Sequence, residues 1–182
     1  MNARLFAAAD LPATVRESLV TWAHEAVGDD RAMRLVGPHA LHVTLCFLGW
    51  HEAQDTQRLG EIVTGCAMPA RGLAVGRVLW LAPGRPHVLT VGLDDSRGEL
   101  CALQARVQDA LVAGAGYVPE EREFLPHVTV ARVRRGARPL RRGLPPLPEI
   151  EPFACPSLTL YRSQLGPGGV RYEALARVDL PA

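Results

Sequence analysis

The sequence predicts an α+β fold of two similar lobes, and three observations support that prediction. Short apolar runs typical of β-strands alternate with longer segments of helical periodicity. The tripeptide His-Val-Thr occurs twice, at His42–Thr44 and at His127–Thr129. Each copy begins a strand-like run and follows an amphipathic helix at a similar distance, which indicates a weak internal repeat. We therefore expect a single domain, residues 1–182, that consists of two related lobes.

The first half of the chain contains two predicted strands and two predicted helices. In the first helix Val15, Leu19, Trp22 and Ala26 recur at helical spacing and form one apolar side, and Pro12 stands at its head, where a missing N–H is tolerated. The predicted segments are a strand at Arg4–Ala9, a helix at Ala13–Ala26, a strand at His42–Leu48 ended by Gly49, and a helix at Asp55–Cys66.

The second half repeats the alternation and closes with a hairpin. Ser96 and Glu99 have the spacing of a capping box and predict the start of a long helix that runs to Gly114. Its apolar side is formed by Leu100, Leu103, Val107 and Leu111. The other predicted segments are strands at Leu73–Leu81 and Val88–Leu93, the second His-Val-Thr strand, a loop at Arg135–Pro156, and a hairpin of Ser157–Tyr161 with Arg171–Val178.

The composition is that of an ordinary globular protein and excludes several classes of enzyme. Hydrophobic residues make up 48% of the chain and charged residues 21%, and no apolar run approaches the roughly 20 residues that span a bilayer. All 20 basic residues are arginine, which excludes mechanisms that need a lysine amine. The N-terminus makes a poor secretory signal, so we expect a cytoplasmic protein. The single cysteines are expected to be small buried residues; they are Cys46, Cys66, Cys101 and Cys155.

The two His-Val-Thr copies each place an imidazole and a hydroxyl on one face of a strand, because side chains at i and i+2 point the same way. Either histidine alone would be explained as a residue with a satisfied hydrogen bond. Duplication at equivalent places favours two imidazoles that face each other across a cleft. Such a pair supplies a general acid and a general base near neutral pH, and the hydroxyls can stabilise phosphate oxygens. The pattern predicts phosphoryl transfer at His42, Thr44, His127 and Thr129.

Neither a metal nor a cofactor is expected. His39 and His42 have a spacing that could bind a metal, but His39 follows Gly37 and Pro38 in a predicted loop. A zinc site usually requires three protein ligands. The sequence also contains no H-E-x-x-H, G-x-S-x-G or G-x-x-x-x-G-K-[ST] motif.

At the two His-Val-Thr strands the sequence resembles a known family. Residues 42–49, HVTLCFLG, and residues 126–132, PHVTVAR, are similar to the paired signatures of the two-histidine (2H) phosphoesterases, in particular the LigT-like RNA 2′,3′-cyclic phosphodiesterases formerly called 2′-5′ RNA ligases. The resemblance implies a bilobal fold with pseudo-twofold symmetry, in which two antiparallel-sheet lobes with helices outside enclose a central cleft. It also implies metal-independent hydrolysis of a terminal 2′,3′-cyclic phosphate of RNA to a 2′-phosphate.

The resemblance further implies a role for each site residue. His42 would protonate the departing O3′ as general acid, His127 would activate water as general base, and Thr44, Thr129 and Arg132 would hold the phosphate. Strand alternation contradicts the role of Arg132, because this residue is an odd number of positions from His127 and should point to the opposite face unless the strand bulges. We follow the resemblance here. The implied partner is RNA with a 2′,3′-cyclic phosphate end, bound by a monomer with no membrane attachment.

Alternative functions remain open on the sequence alone. A 2H enzyme that acts on 2′-5′-linked oligonucleotides or on a small cyclic nucleotide would have the same strands. A non-catalytic RNA-binding module would need stacking aromatics and a basic surface, whereas aromatic residues make up 5% of the chain and the net charge is +1. A local basic segment could hold upstream RNA phosphates or form a solvated loop; it contains Arg132, Arg134, Arg135, Arg138, Arg141 and Arg142.

Overall fold

The computed structural model describes residues 2–81, 87–139, 143–166 and 169–182. Over these residues the chain forms eight strands and three α-helices, which confirms the predicted α+β class. Two short 3₁₀ turns, Pro38–Ala40 and Ala53–Asp55, flank the third strand. In chain order the elements are β1 Asn2–Asp10, α1 Ala13–Val27, β2 Met33–Leu35, β3 His42–Glu52, α2 Thr56–Thr64, β4 Ala74–Leu81, β5 Val88–Asp94, α3 Glu99–Ala115, β6 His127–Val133, β7 Ser157–Gly166 and β8 Gly169–Asp179.

The strands form one antiparallel sheet in two halves. Its order is β4-β5-β6-β3-β1-β7-β8, and β2 pairs with β6 beside β3. The half made of β4, β5, β6 and β2 is joined to the half made of β3, β1, β7 and β8 by the pairing of Val43 with Val128. Both residues are the central members of the His-Val-Thr motifs. The two predicted lobes therefore meet where the two motifs meet.

The helices bury the apolar sides that their spacing predicts. In α3 all four predicted residues, including Leu100 and Leu111, are completely buried. Each such leucine contributes roughly 2 kcal/mol by leaving water. In α1 the indole Nε1–H of Trp22 donates to the carbonyl of Pro145 at 3.2 Å and ties the Arg- and Pro-rich segment to the helix. The buried sides of the helices thus join one hydrophobic core with the strands.

β3 does not end at Gly49, as the sequence suggested, but continues to Glu52. Its pairing with β1 shifts at this point, because Leu5 pairs with Gly49 whereas Phe6 pairs with Phe47. Gly49 has a φ of +81°, a conformation that costs glycine little, and the extra residue forms a β-bulge. The strand therefore carries further side chains past its predicted end.

The predicted capping box at Ser96 is wrong. α3 begins at Glu99, and its N-cap is Gly98 with a φ of +69° and no side-chain cap, so Ser96 lies two residues before the cap. The carboxylate of Glu99 instead accepts hydrogen bonds from the guanidinium groups of Arg71 and Arg97, each at 3.1 Å. Of these two partners, Arg71 lies far away in the sequence and Arg97 lies two residues before Glu99.

The C-terminal part follows the prediction of a loop and then a hairpin. The described residues of the loop contain no helix, and Phe153 forms a bridge to Leu73. Arg141 and Arg142 lie outside the described residues. β7 and β8 form the predicted hairpin, and both strands are longer than expected. Cys101 is exposed, which contradicts the expectation for it, whereas the buried cysteines are Cys46, Cys66 and Cys155.

No helix in the described part of the chain is long and apolar enough to cross a membrane.

Candidate active site

The two motif histidines are oriented by the same device. The Nδ1 atom of His42 lies 2.8 Å from the carbonyl oxygen of Ala40, and that of His127 lies 2.7 Å from the carbonyl oxygen of Leu125. A carbonyl can only accept, so each Nδ1 carries a proton and each histidine bonds the residue two positions before it. This leaves both Nε2 atoms for other partners. For His42 that partner is the hydroxyl oxygen of Thr44, at 3.0 Å.

His42 lies in a pocket of aromatic rings. The ring centroid of Phe6 is 4.9 Å from that of His42, Tyr172 meets it edge-on at 5.2 Å, and Tyr161 lies at 6.1 Å. Burial lowers the pKa of His42 from 6.5 to about 4, although the Ala40 carbonyl and the carboxylate of Asp10 oppose this change. In the free protein this imidazole is therefore neutral at neutral pH.

Asp10 is a buried carboxylate beside His42 that no motif of the sequence indicated. It is paired with His42 across β1 and β3. It accepts hydrogen bonds from the hydroxyls of Ser157 at 2.6 Å, Thr159 at 2.7 Å and Tyr161 at 2.7 Å. Three neutral donors thus satisfy the buried carboxylate oxygens without a cation. The alternating hydroxyl side chains of β7 could have indicated a buried acceptor. The sequence did not show that this acceptor is Asp10, which lies far from β7 along the chain.

Four of the five predicted site residues line one cavity of about 700 Å³. They are Thr44, His127, Thr129 and Arg132. His42 is not among the lining residues, but its Nε2 atom lies within hydrogen-bond distance of the hydroxyl of Thr44, which is. Arg132 and His127 are nevertheless close enough to His42 for their charges to act on it. The structure thus brings all five residues to one place.

A β-bulge brings Arg132 to the cavity. Thr90 of β5 pairs with Thr129, but Leu89 pairs with Ala131, so Val130 is an extra residue in β6. Val130 and Ala131 are both buried, and this restores Arg132 to the face that carries His127. Simple alternation therefore gave the wrong face, because Arg132 lines the same cavity as His127.

Phe47 is the counterpart of Arg132 in the first motif, and it was absent from the predicted site. Ala8 of β1 pairs with Thr44 and Ala7 with Cys46, so Leu45 is an extra residue in β3. The bulge turns Phe47 into the same cavity, where it is 51% exposed. Both residues stand five positions after their histidine, and that equal offset was the available signal. One side of the cavity thus carries a guanidinium group and the other a phenyl ring.

The loop after α3 forms an acidic wall of the cavity. Glu120, Glu121 and Glu123 line it, and Arg122 lies 3.5 Å from Glu120. Arg132 lines the same cavity. An anionic group is therefore favoured near Arg132 and disfavoured near the loop. Among the described residues, no group of three His, Cys, Asp or Glu side chains is placed to hold a metal ion.

Known proteins are similar to this chain in sequence and architecture. Residues 91–172 match the family described as LigT like Phosphoesterase. The chain is 31% identical to RNA 2′,3′-cyclic phosphodiesterase of Escherichia coli strain K12, over 96% of this chain and 94% of that protein. It is 33% identical to the protein of that name from Thermus thermophilus, over 97% of this chain and 90% of that protein. A crystal structure of E. coli LigT complexed with 3′-AMP matches with a TM-score of 0.79 and 27% identity, over 100% of both chains. The chain therefore belongs to the LigT-like phosphoesterase family.

Proposed function

We propose that this protein hydrolyses the terminal 2′,3′-cyclic phosphate of RNA to a 2′-phosphate. The observation that carries the proposal is the pair of motif histidines, each with Nδ1 anchored on the carbonyl two residues before it, beside one cavity. Relatives named RNA 2′,3′-cyclic phosphodiesterase match over nearly the whole chain and support the choice of substrate. We further propose that the chain acts as one domain, as a monomer in the cytoplasm, without metal or cofactor.

The proposed reaction has one step with two proton transfers. His127 accepts a proton from water at Nε2 while the water oxygen attacks phosphorus. The bond from phosphorus to O3′ breaks, and His42 gives its Nε2 proton to that oxygen. Thr44 and Thr129 donate hydrogen bonds to the non-bridging oxygens, and the guanidinium group of Arg132 stabilises the charge that develops there.

The protonation state of His42 imposes a condition on this scheme. A general acid must be protonated, yet burial lowers the pKa of His42 to about 4 in the free protein. A bound cyclic phosphate brings a negative charge to the cavity, and the carboxylate of Asp10 already acts to raise the pKa of His42. Both favour the imidazolium form. The productive form is thus a minor one in the free enzyme that the substrate stabilises.

The direct test is product analysis. The purified protein is incubated in the presence of EDTA with RNAs that end in a 2′,3′-cyclic phosphate, a 2′-phosphate or a 3′-phosphate. We expect only the cyclic end to be consumed, with a 2′-phosphate as product. A 3′-phosphate product would refute the assignment of O3′ as the leaving group. Loss of turnover in EDTA that a divalent metal restores would refute the metal-free scheme.

A further inference from the structure

Two exposed aromatic side chains of β3 continue the face that carries His42. Phe47 is 51% exposed and Trp50 is 67% exposed. Phe47 pairs with Phe6 of β1, and Trp50 pairs with Arg4. Paired residues of an antiparallel ladder point to the same face, as do residues two apart on one strand. Because Phe6 packs on His42 at 4.9 Å, the whole row lies on the catalytic side of the sheet.

A second cavity of about 360 Å³ adjoins the active-site cavity. Phe47 and Tyr117 line both cavities and form the partition between them. The second cavity is also lined by Arg4, His51 and Val118, and Val118 is 82% exposed. Its wall therefore combines a guanidinium group and an imidazole with exposed apolar surface.

The charges of the two cavities differ. Arg4 has no ion-pair partner among the described residues, and no carboxylate of the described chain lines the cavity beside it. The loop that follows α3 instead lines the active-site cavity with three glutamates. The RNA backbone that extends out of the active-site cavity carries a negative charge on each phosphodiester. That charge is repelled by the glutamates of the loop and attracted by Arg4.

The spacing along β3 is regular. Thr44, Phe47 and Trp50 pair with alternate residues of β1, so each step spans about 7 Å of strand. Trp50 is thus about 13 Å from Thr44, where the reacting phosphate is proposed to bind. This distance is too great for the terminal nucleotide itself. It suits the nucleotide that precedes it in an extended strand.

We propose that Arg4, which lines the second cavity, and Trp50, which pairs with Arg4, bind the nucleotide immediately 5′ of the one that carries the cyclic phosphate. The guanidinium group of Arg4 contacts the phosphodiester between the two nucleotides, and the indole of Trp50 stacks on the upstream base. Stacking tolerates any base, so this subsite selects chain length rather than sequence. The proposal rests on the proposed function, because the substrate is an RNA strand whose end lies in the active-site cavity.

The test compares a nucleoside 2′,3′-cyclic phosphate with a dinucleotide that ends in the same group. For the wild-type protein, we expect kcat/KM to be at least about tenfold higher for the dinucleotide. Trp50→Ala and Arg4→Gln should each lower the dinucleotide value about tenfold and leave the mononucleotide value unchanged. When the two nucleotides are joined by an uncharged methylphosphonate, Arg4→Gln should no longer lower the dinucleotide kcat/KM. Trp50→Ala should still lower it. Matched controls are Val112→Ala, an exposed apolar residue, and Arg16→Gln on α1; neither residue lines a cavity described above.

The proposal would be overturned if the wild-type protein had nearly the same kcat/KM for the dinucleotide and the mononucleotide. It would also be overturned if both variants kept the wild-type ratio of these two values. Loss of the dinucleotide preference only when Arg134, Arg135 and Arg138 are neutralised would overturn the proposal as well. The RNA would then extend from the active site along β6. Binding of the 3′-phosphate mononucleotide and dinucleotide is measured in the same variants. This measurement does not depend on turnover, so it judges the subsite even if cyclic phosphates are not hydrolysed and the proposed function fails.

Discussion

Val43 of β3 pairs directly with Val128 of β6, and both side chains are completely buried. Because the strands are antiparallel, this register brings His42 toward Thr129 and Thr44 toward His127. Each imidazole thus lies near the hydroxyl of the other motif as well as its own. The pairing of two core valines sets the relation between the two halves of the active site, although neither valine takes part in the chemistry.

Replacement of either histidine tests the centre of the proposal. We expect His42→Ala and His127→Ala each to lower cyclic phosphate hydrolysis by roughly 10²–10⁴-fold, the usual contribution of a general acid or base. Circular dichroism and thermal unfolding should show a folded protein. Near wild-type turnover by either folded variant would remove that histidine from the mechanism.

Much of the site was predictable because its signals are local. The His-x-Thr spacing fixes which side chains share a strand face, and the leucine spacing of α3 fixes its buried side. The bulges at Leu45 and Val130 were not predictable, since a second buried apolar residue in a strand does not by itself reveal a shifted register. Asp10 was missed for another reason, because its partners lie on β7, far along the chain.

Arg132 offers a test of bidentate phosphate binding. We expect Arg132→Ala to lower kcat/KM by about 10²–10³-fold even for a cyclic mononucleotide, because a group that stabilises developing charge is lost. Arg132→Lys keeps the charge but not the planar fork, so it should recover only part of the activity. Equal activity of the lysine variant and the wild type would indicate that only charge matters. Unchanged activity of the alanine variant would show that Arg132 does not stabilise the reacting phosphate.

The buried imidazole of His42 should make stability depend on pH. Its pKa is about 4 in the folded protein and 6.5, the ordinary value, in the unfolded chain, so between these values the unfolded chain binds more protons. Stability should therefore fall as pH decreases from about 6.5 to about 4, with a total of about 3 kcal/mol from this residue. Urea unfolding of the wild type and of His42→Gln across this range measures the difference. If the free energy of unfolding depends on pH in the same way for both proteins, His42 makes no such contribution.

The pH dependence of kcat/KM should be bell-shaped, because one imidazole must be neutral and the other charged. We expect the acidic limb near pH 4, where His42 of the free protein titrates. The limbs belong to the coupled pair and need not each report one residue. A rate that rises steadily from pH 5 to 9, with chemistry shown to be rate-limiting, would contradict the two-histidine scheme.

Asp10 can decide which histidine is the acid. Its carboxylate raises the pKa of His42, whereas burial, Arg132 and His127 lower it. Asp10→Asn keeps the size of the side chain and an acceptor for the β7 hydroxyls but removes the charge, so the pKa of His42 should fall further. If His42 is the acid, its protonated fraction at neutral pH falls with it, and kcat/KM drops about tenfold for each pH unit by which the acidic limb moves down. If His42 is the base, it is already fully neutral at neutral pH, and the same shift leaves its neutral fraction unchanged.

The control is Ser157→Ala, which removes one hydrogen-bond donor to Asp10 but keeps the carboxylate. This variant should leave the acidic limb of the pH profile in place. A limb that moves down in Asp10→Asn without loss of activity at neutral pH would assign His42 as the base and His127 as the acid.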